Sequence, residues 1–233
     1  MIYVMSDLHG YPILKFLKIL ESINFSKDDF LYVLGDVVDR GRDGVKIIKW
    51  LMQNSNTMLL LGNHEDMLLN CEFVFEEGFD PFYSNLCGEK RKAYELWISN
   101  GGGSTFEALN ATRSSEQKYI FEYLKSASLY KELTVNGRKF VLTHSGFGNF
   151  SPEKPLYEYS KKELLWHRPT QYTDYFDDVI TVFGHTPTFL IEGSTRGRAR
   201  RTATWIDIDV GASIGLTPMV LRLDDLKEFY FDF

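Results

Sequence analysis

The sequence predicts an α/β fold, and two observations carry that prediction. Short apolar runs at residues 2–5, 30–34 and 58–61 alternate with amphipathic segments at 13–20 and 45–52, the order expected of a parallel sheet with crossover helices. Each run is brief and rich in branched or aromatic residues, which suits strands buried on both faces. The intervening segments repeat their apolar residues three and four positions apart, which places them along one stripe of a helix.

From Glu65 to about residue 130 the pattern turns helical, with breaks at 78–81 and at Asn100-Gly101-Gly102-Gly103. Gly102 and Gly103 are poor helix formers, so a loop is expected there. Strands resume at 133–135 and 139–143 around an Asn136-Gly137 hairpin turn, and again at 179–183, 204–209, 219–223 and 228–231. No repeat, low-complexity tract or linker divides the chain, so one domain over 1–233 with a helical insert at approximately 65–130 is expected. Phe73, Phe75, Phe79, Phe82 and Tyr83 are expected to pack the insert, the alternative being a lid beside the site.

Composition excludes several classes. With 233 residues, 44% hydrophobic and 25% charged, the chain is long and apolar enough for a sizeable core and is not a disordered segment. No run approaches the roughly 18 apolar residues of a membrane span, and the opening residues reach Asp7 too soon to form a signal-peptide core. Two cysteines, Cys71 and Cys87, imply no disulfide framework and a cytoplasmic setting. A net charge of −6 argues against nucleic acid as the main partner, and it sits awkwardly with any anionic substrate.

The polar residues at the end of each apolar run form the informative pattern. The strand ends read Ser6-Asp7-Leu8-His9-Gly10, Gly35-Asp36-Val37-Val38-Asp39-Arg40-Gly41, Gly62-Asn63-His64-Glu65, Thr143-His144-Ser145-Gly146 and Gly184-His185-Thr186. Ligands of open α/β sheets bind beyond the carboxyl ends of strands. Four of the five histidines, His9, His64, His144 and His185, sit at these ends. One strand-end histidine is usually structural; four at equivalent positions point to a metal or catalytic site. Carboxylate, imidazole and amide oxygen without thiolate suit manganese, iron or zinc rather than a structural thiolate site. Asp7 and His9, expected on one side of an extended segment, can share an ion; Asp36 can bridge to a second ion held by Asn63, His144 and His185.

The first three of these strand-end stretches resemble the three-part signature of the metal-dependent serine/threonine phosphoprotein phosphatases, within the calcineurin-like metallophosphoesterases. Asn100-Gly101-Gly102, Trp166-His167-Arg168 and Phe183-Gly184-His185-Thr186-Pro187 are similar to the bacterial and lambda-phage-type branch. The resemblance runs from Met1 to about Ala212. It implies an α/β sandwich (α+β by some schemes) of mixed β-sheets flanked by helices, and two divalent ions, manganese first with iron or zinc as alternatives. Asp7, His9 and Asp36 would hold one ion, and Asp36, Asn63, His144 and His185 the other. His64 would be the general acid, oriented by Asp39 as successive extended residues direct Asn63 and His64 oppositely. Arg40 and Arg168 would grip phosphate, with Asn100 a candidate substrate contact that Asn-Gly turn chemistry explains equally well.

Other readings stay open. Asp39–Arg40 can be read as a surface ion pair, and Glu65 as a helix-starting or supporting residue rather than a ligand. His167 reads as structural or exposed. Ser6 stands where the signature has glycine, which extended backbone tolerates. Arg196, Arg198, Arg200 and Arg201 read as a solvated connection, the alternative being a rim that attracts phosphorylated substrate. The resemblance implies hydrolysis of phosphoserine and phosphothreonine proteins by direct attack of a metal-bridging water. Phosphotyrosine is a further substrate class, and a diadenosine tetraphosphate hydrolase is the alternative. A catalytic subunit acting alone, as a monomer without a membrane partner, is the expected state.

Overall fold

Strand β1 (Ile2–Met5) pairs in parallel with β2 (Phe30–Val33), and β2 with β3 (Thr57–Leu59), in the computed structural model of the chain, which describes residues 1–76, 79 and 86–233. The expected break at 78–81, Phe79 aside, and the aromatics Phe82 and Tyr83 lie outside the described residues. Helices α1 (Ile13–Ser22) and α2 (Gly44–Gln53) make the crossovers. They bury Phe16, Ile19 and Leu20 from α1, and Val45, Ile47, Ile48 and Leu51 from α2, the stripes that the spacing predicts.

The insert follows as α3 (Asn63–Asn70), α4 (Gly88–Trp97), α5 (Gly103–Asn110) and α6 (Ser114–Ser126). The loop expected at 100–103 is instead a π-turn, Ile98–Gly102, that joins α4 to α5. Gly102 and Gly103 are helical, and Gly101 alone takes a left-handed conformation, with φ 101°. Gly102 is small for a packing reason: a Cβ there would lie 2.6 Å from the Trp97 ring.

Strands β4 (Tyr130–Val135) and β5 (Arg138–Thr143) form the predicted hairpin, with Asn136 and Gly137 at positive φ. A short helix α7 (Lys161–Leu165) precedes β6 (Val179–Phe183); β7 (Arg200–Arg201) and β8 (Trp205–Asp207) complete a second sheet ordered β4-β5-β6-β8-β7. The chain then returns to the first sheet through β9 (Val220–Arg222) and β10 (Lys227–Phe229), giving β10-β9-β1-β2-β3. Both sheets mix parallel and antiparallel neighbours.

The two sheets pack face to face because their strands alternate. Val4, Tyr32, Leu34, Phe140, Leu142, Val182 and Ile206 meet in the central layer. Their chain neighbours Tyr3, Met5, Leu31 and Val33 face the helices of the first sheet, and Val141, Phe183 and Trp205 face an aromatic layer of Phe147, Tyr159 and Tyr175. All four clustered arginines have structural partners: Arg196 lies 6.0 Å from the Phe189 ring centroid and Arg198 4.1 Å from that of Tyr230, Arg201 pairs with Glu228 at 3.5 Å, and Arg200 donates to the Gly193 carbonyl.

The loops after β1 and β2 press backbone to backbone at Gly10 and Gly41, where a Cβ on Gly41 would overlap the carbonyl oxygens of His9 and Gly10. Gly41→Ala should therefore lower stability by about 1–3 kcal/mol. Gly103→Ala, in a helix with nothing within 4 Å of its Cβ, should raise it by about 0.4–1 kcal/mol. Urea unfolding of the two variants checks the contrast.

Candidate active site

Five strand ends deliver the polar residues to one place, and the backbone turns sharply to do so. Asp7, His9, Asp36, Asp39, Arg40 and His185 all have φ between 42° and 70°. Asp7 and His9 are thus not on an extended segment as expected; two left-handed residues fold the chain back and still bring His9 Nε2 within 3.9 Å of Asp7 Oδ1. Asn63 and His64 are likewise not extended. They open helix α3, where successive side chains diverge by about 100°, enough to send them to different partners.

Asp36 stands at the centre. Its Oδ2 faces His9 Nε2 at 3.6 Å and His64 Nε2 at 3.9 Å, while Oδ1 faces His144 Nε2 at 3.5 Å and accepts from the His64 amide at 3.0 Å. Two groups capable of holding a cation share it: His9, Asp36 and His64, and Asp36, His144 and His185. His144 Nδ1 donates to the Leu34 carbonyl at 2.7 Å, which leaves Nε2 of the neutral ring as a lone pair. That lone pair lies 2.8 Å from another acceptor, Asn63 Oδ1, and 3.2 Å from His185 Nδ1. Asp7 Oδ1 and His185 Nε2 are buried with no hydrogen-bond partner among the described residues. Crowded acceptors and orphaned buried atoms are costly by themselves and fit a divalent cation. Asp7 Oδ2 is satisfied by the Ser6 hydroxyl and the His185 amide, and Ser6 needs no left-handed backbone.

His64 differs from the other rings. Its Nδ1 donates to Asp39 Oδ2 at 2.7 Å. Burial pulls its pKa down, but the charge of Asp36, the Asp39 hydrogen bond and the Asp39 charge outweigh this and raise it above 6.5. Burial, then the charges of His64 and Arg40, hold His9 well below that value. Burial, then His144 and Arg168, do the same to His185. The environment thus keeps His9 and His185 neutral and favours a charged His64.

Asp39 is fully buried and is not ion-paired to Arg40. Its carboxylate accepts from His64, from Trp97 Nε1 at 3.1 and 3.2 Å, and from Thr105 Oγ1 at 2.7 Å. Arg40 lies across the mouth, Nη1 3.1 Å from His9 Nε2 and Nη2 3.2 Å from His64 Nε2, with no carboxylate partner among the described residues. Arg168 is exposed after α7, near enough for its charge to act on His185. Asn100 donates its amide to the Leu96 carbonyl at 2.8 Å, closing the end of its own helix. His167 is half-buried, and burial lowers its pKa.

Glu65 supports rather than ligates. Buried at the start of α3, its carboxylate accepts from the amides of Asp36 (2.7 Å), Val37 (2.8 Å), Val38 (3.2 Å) and Gly62 (3.0 Å). Sequence reasoning missed Trp97, Thr105, Asp207 and Asp209. Asp207 and Asp209 lie at the end of the core strand β8, at 0% and 2% exposure. Burial, with the Asp209 charge for Asp207 and the Asp7 charge for Asp209, lifts both well above the usual carboxylate range. An Asp-x-Asp-x-Gly run at a strand end is the signal that could have found them.

Carboxylate–imidazole clusters sharing one aspartate, at the strand ends of a two-sheet sandwich, define a metal-dependent phosphoester hydrolase. The chain belongs to the calcineurin-like phosphoesterase family, whose profile matches residues 1–207 and which uses a dinuclear divalent metal site. It is 27% identical over 173 residues to serine/threonine-protein phosphatase 2 of Salmonella typhimurium, covering 72% of this chain and 67% of that protein. It is 28% identical over 147 residues to the symmetrical bis(5'-nucleosyl)-tetraphosphatase of Buchnera aphidicola, covering 62% of this chain but 44% of that one. A solved protein provisionally named a diadenosine tetraphosphatase superposes with a TM-score of 0.67 at 16% identity, over 99% of this chain and 92% of that one, a likeness of fold.

Glu65→Gln replaces one acceptor oxygen by a donor facing backbone amides, and should cost at least about 3 kcal/mol in urea unfolding. Asp207→Asn should show a pH-dependent effect in metal-stripped protein. Because the folded-state pKa is raised, the native carboxyl destabilises the fold increasingly as pH rises above the unfolded value of about 3.9. The variant's Tm relative to wild type should therefore climb from about pH 4 to pH 7; a flat difference would contradict the assignment.

Proposed function

We propose that the protein is a dinuclear-metal phosphomonoesterase that dephosphorylates phosphoserine and phosphothreonine in cytoplasmic proteins or peptides, with manganese as its metal. The observation that carries this reading is the His64–Asp39 pair, 2.7 Å apart and favouring a charged imidazole. A serine or threonine alkoxide is a poor leaving group and needs a proton; a phosphate leaving from a phosphoanhydride needs one far less. Asp7, His9 and Asp36 would hold one cation, and Asp36, Asn63, His144 and His185 the other; His64, although close to Asp36, is committed to Asp39. When bound, the cations lower the pKa of an attacking water and neutralise phosphoryl oxygens. Arg40 and Arg168 grip the remaining oxygens, with Asn100 at the rim. His64 Nε2–H gives its proton to the leaving oxygen, and Asp39 keeps the ring oriented.

A dinucleoside polyphosphate is the competing substrate. A pocket of about 360 Å³ beside His9, lined by Tyr11, Lys15 and Arg40, offers a second cation to a longer anion.

Protein stripped with chelator should be inactive, and manganese should restore hydrolysis of phosphopeptides above that of dinucleoside polyphosphates. The reverse preference would move the assignment to the polyphosphate. His64→Asn should lower turnover of alkyl phosphates by about 10²–10⁴ and of aryl phosphates much less, since a phenolate leaves without help.

A further inference from the structure

The general acid of this site depends on a clamp that the helical insert builds around Asp39. We infer that Trp97 and Thr105 are positioning residues for proton transfer, holding the Asp39 carboxylate against His64; the inference rests on His64 being the acid. Asp39 is wholly buried and lacks a lysine or arginine partner among the described residues, so apart from the His64 ring its carboxylate is supported by neutral donors. Trp97 Nε1 spans both oxygens at 3.1 and 3.2 Å. Thr105 does two things at once. Its hydroxyl accepts from the Asp39 amide at 2.8 Å and donates to Asp39 Oδ1 at 2.7 Å, fixing the side chain and the left-handed backbone that carries it (φ 70°). The remaining oxygen, Oδ2, is thereby aimed at His64 Nδ1.

The connection between α4 and α5 is shaped for this purpose. Trp97 ends α4 and Thr105 lies in the first turn of α5. The π-turn between them brings both to one carboxylate, and Gly102 lies flat on the Trp97 ring where a Cβ would be 2.6 Å away. At Gly101 the left-handed turn sends its carbonyl to the Arg40 amide at 2.9 Å. Phe75 and Phe106 pack edgewise on Trp97 from the insert's own core. The insert therefore fixes the acid's partner and the backbone of the phosphate-gripping arginine from one side.

Thr105→Val and Trp97→Phe remove one donor each while keeping most of the volume. Each should lower kcat on an alkyl phosphomonoester by roughly 10–10²-fold, the scale for partners that orient a functional group. KM, manganese content and kcat on an aryl phosphate should change little. Thr105→Ser, which keeps the hydroxyl, should recover most of the lost turnover. In a His64→Asn background neither substitution should lower turnover further, because the group they orient is gone. Equal losses on both substrates, additive losses in the His64→Asn background, or no recovery with Thr105→Ser would overturn the inference. If Thr105→Val does not fold, Trp97→Phe and Thr105→Ser decide it. If His64→Asn itself shows no leaving-group dependence, the acid assignment has failed instead.

Discussion

The site rests on one buried carboxylate that faces backbone amides. Glu65 gathers four backbone amides, three from the loop after β2 and one from the start of α3, onto two oxygens. Those amides belong to Asp36 and its successors and to Gly62, which precedes Asn63 and His64. A shift of Glu65 would move Asp36, Asn63 and His64 together. Among the described residues no lysine or arginine neutralises it; α3's N-terminus and the ring of amides supply the positive end of the interaction.

Such a staple is needed because the loops it holds are strained. Left-handed backbone at a non-glycine residue costs about 1–3 kcal/mol, and Asp7, His9, Asp36, Asp39, Arg40 and His185 all adopt it. Each turn is held from another loop: the His9 amide on the Asp36 carbonyl, the Arg40 amide on Gly101, the Gly41 amide on His9. This mutual support explains why Gly10 and Gly41 leave no room for a Cβ. The conformations that point five strand ends at one spot are stable together and would not be separately.

This division decides how much of the molecule is legible in its sequence. Short continuous apolar runs and stripes of period 3.6 report burial, so β1, β6, α1 and α2 are readable almost to their ends. Asp, His and Asn after those runs mark the site, because chemistry of this type demands those side chains. The local backbone is not legible. Asp7 and His9, and likewise Asn63 and His64, read as extended, since the left-handed turns and the early start of α3 are imposed by partners far along the chain. Gly102 and Gly103 read as a loop on intrinsic propensity, which contact with Trp97 and continuation into α5 override. Trp97 and Thr105 escape notice because indole and hydroxyl groups in an amphipathic insert look like packing until their partner is known.

The net charge of −6 also takes on a different meaning. Asp7, Asp36, Asp39, Glu65, Asp207 and Asp209 are all buried, at 2% exposure or less. These carboxyls face inward, Asp39 and Asp36 toward imidazoles and Glu65 toward backbone amides, and burial disfavours the charged form of Asp36, Asp207 and Asp209. Arg40 and Arg168 are exposed beside the same site. The exposed charge at the mouth is therefore guanidinium, and the carboxylates behind it are compensated wherever cations bind. The burial that lifts the Asp36 pKa is also what a bound cation relieves, so metal affinity and the stability of this region are two readings of one electrostatic balance.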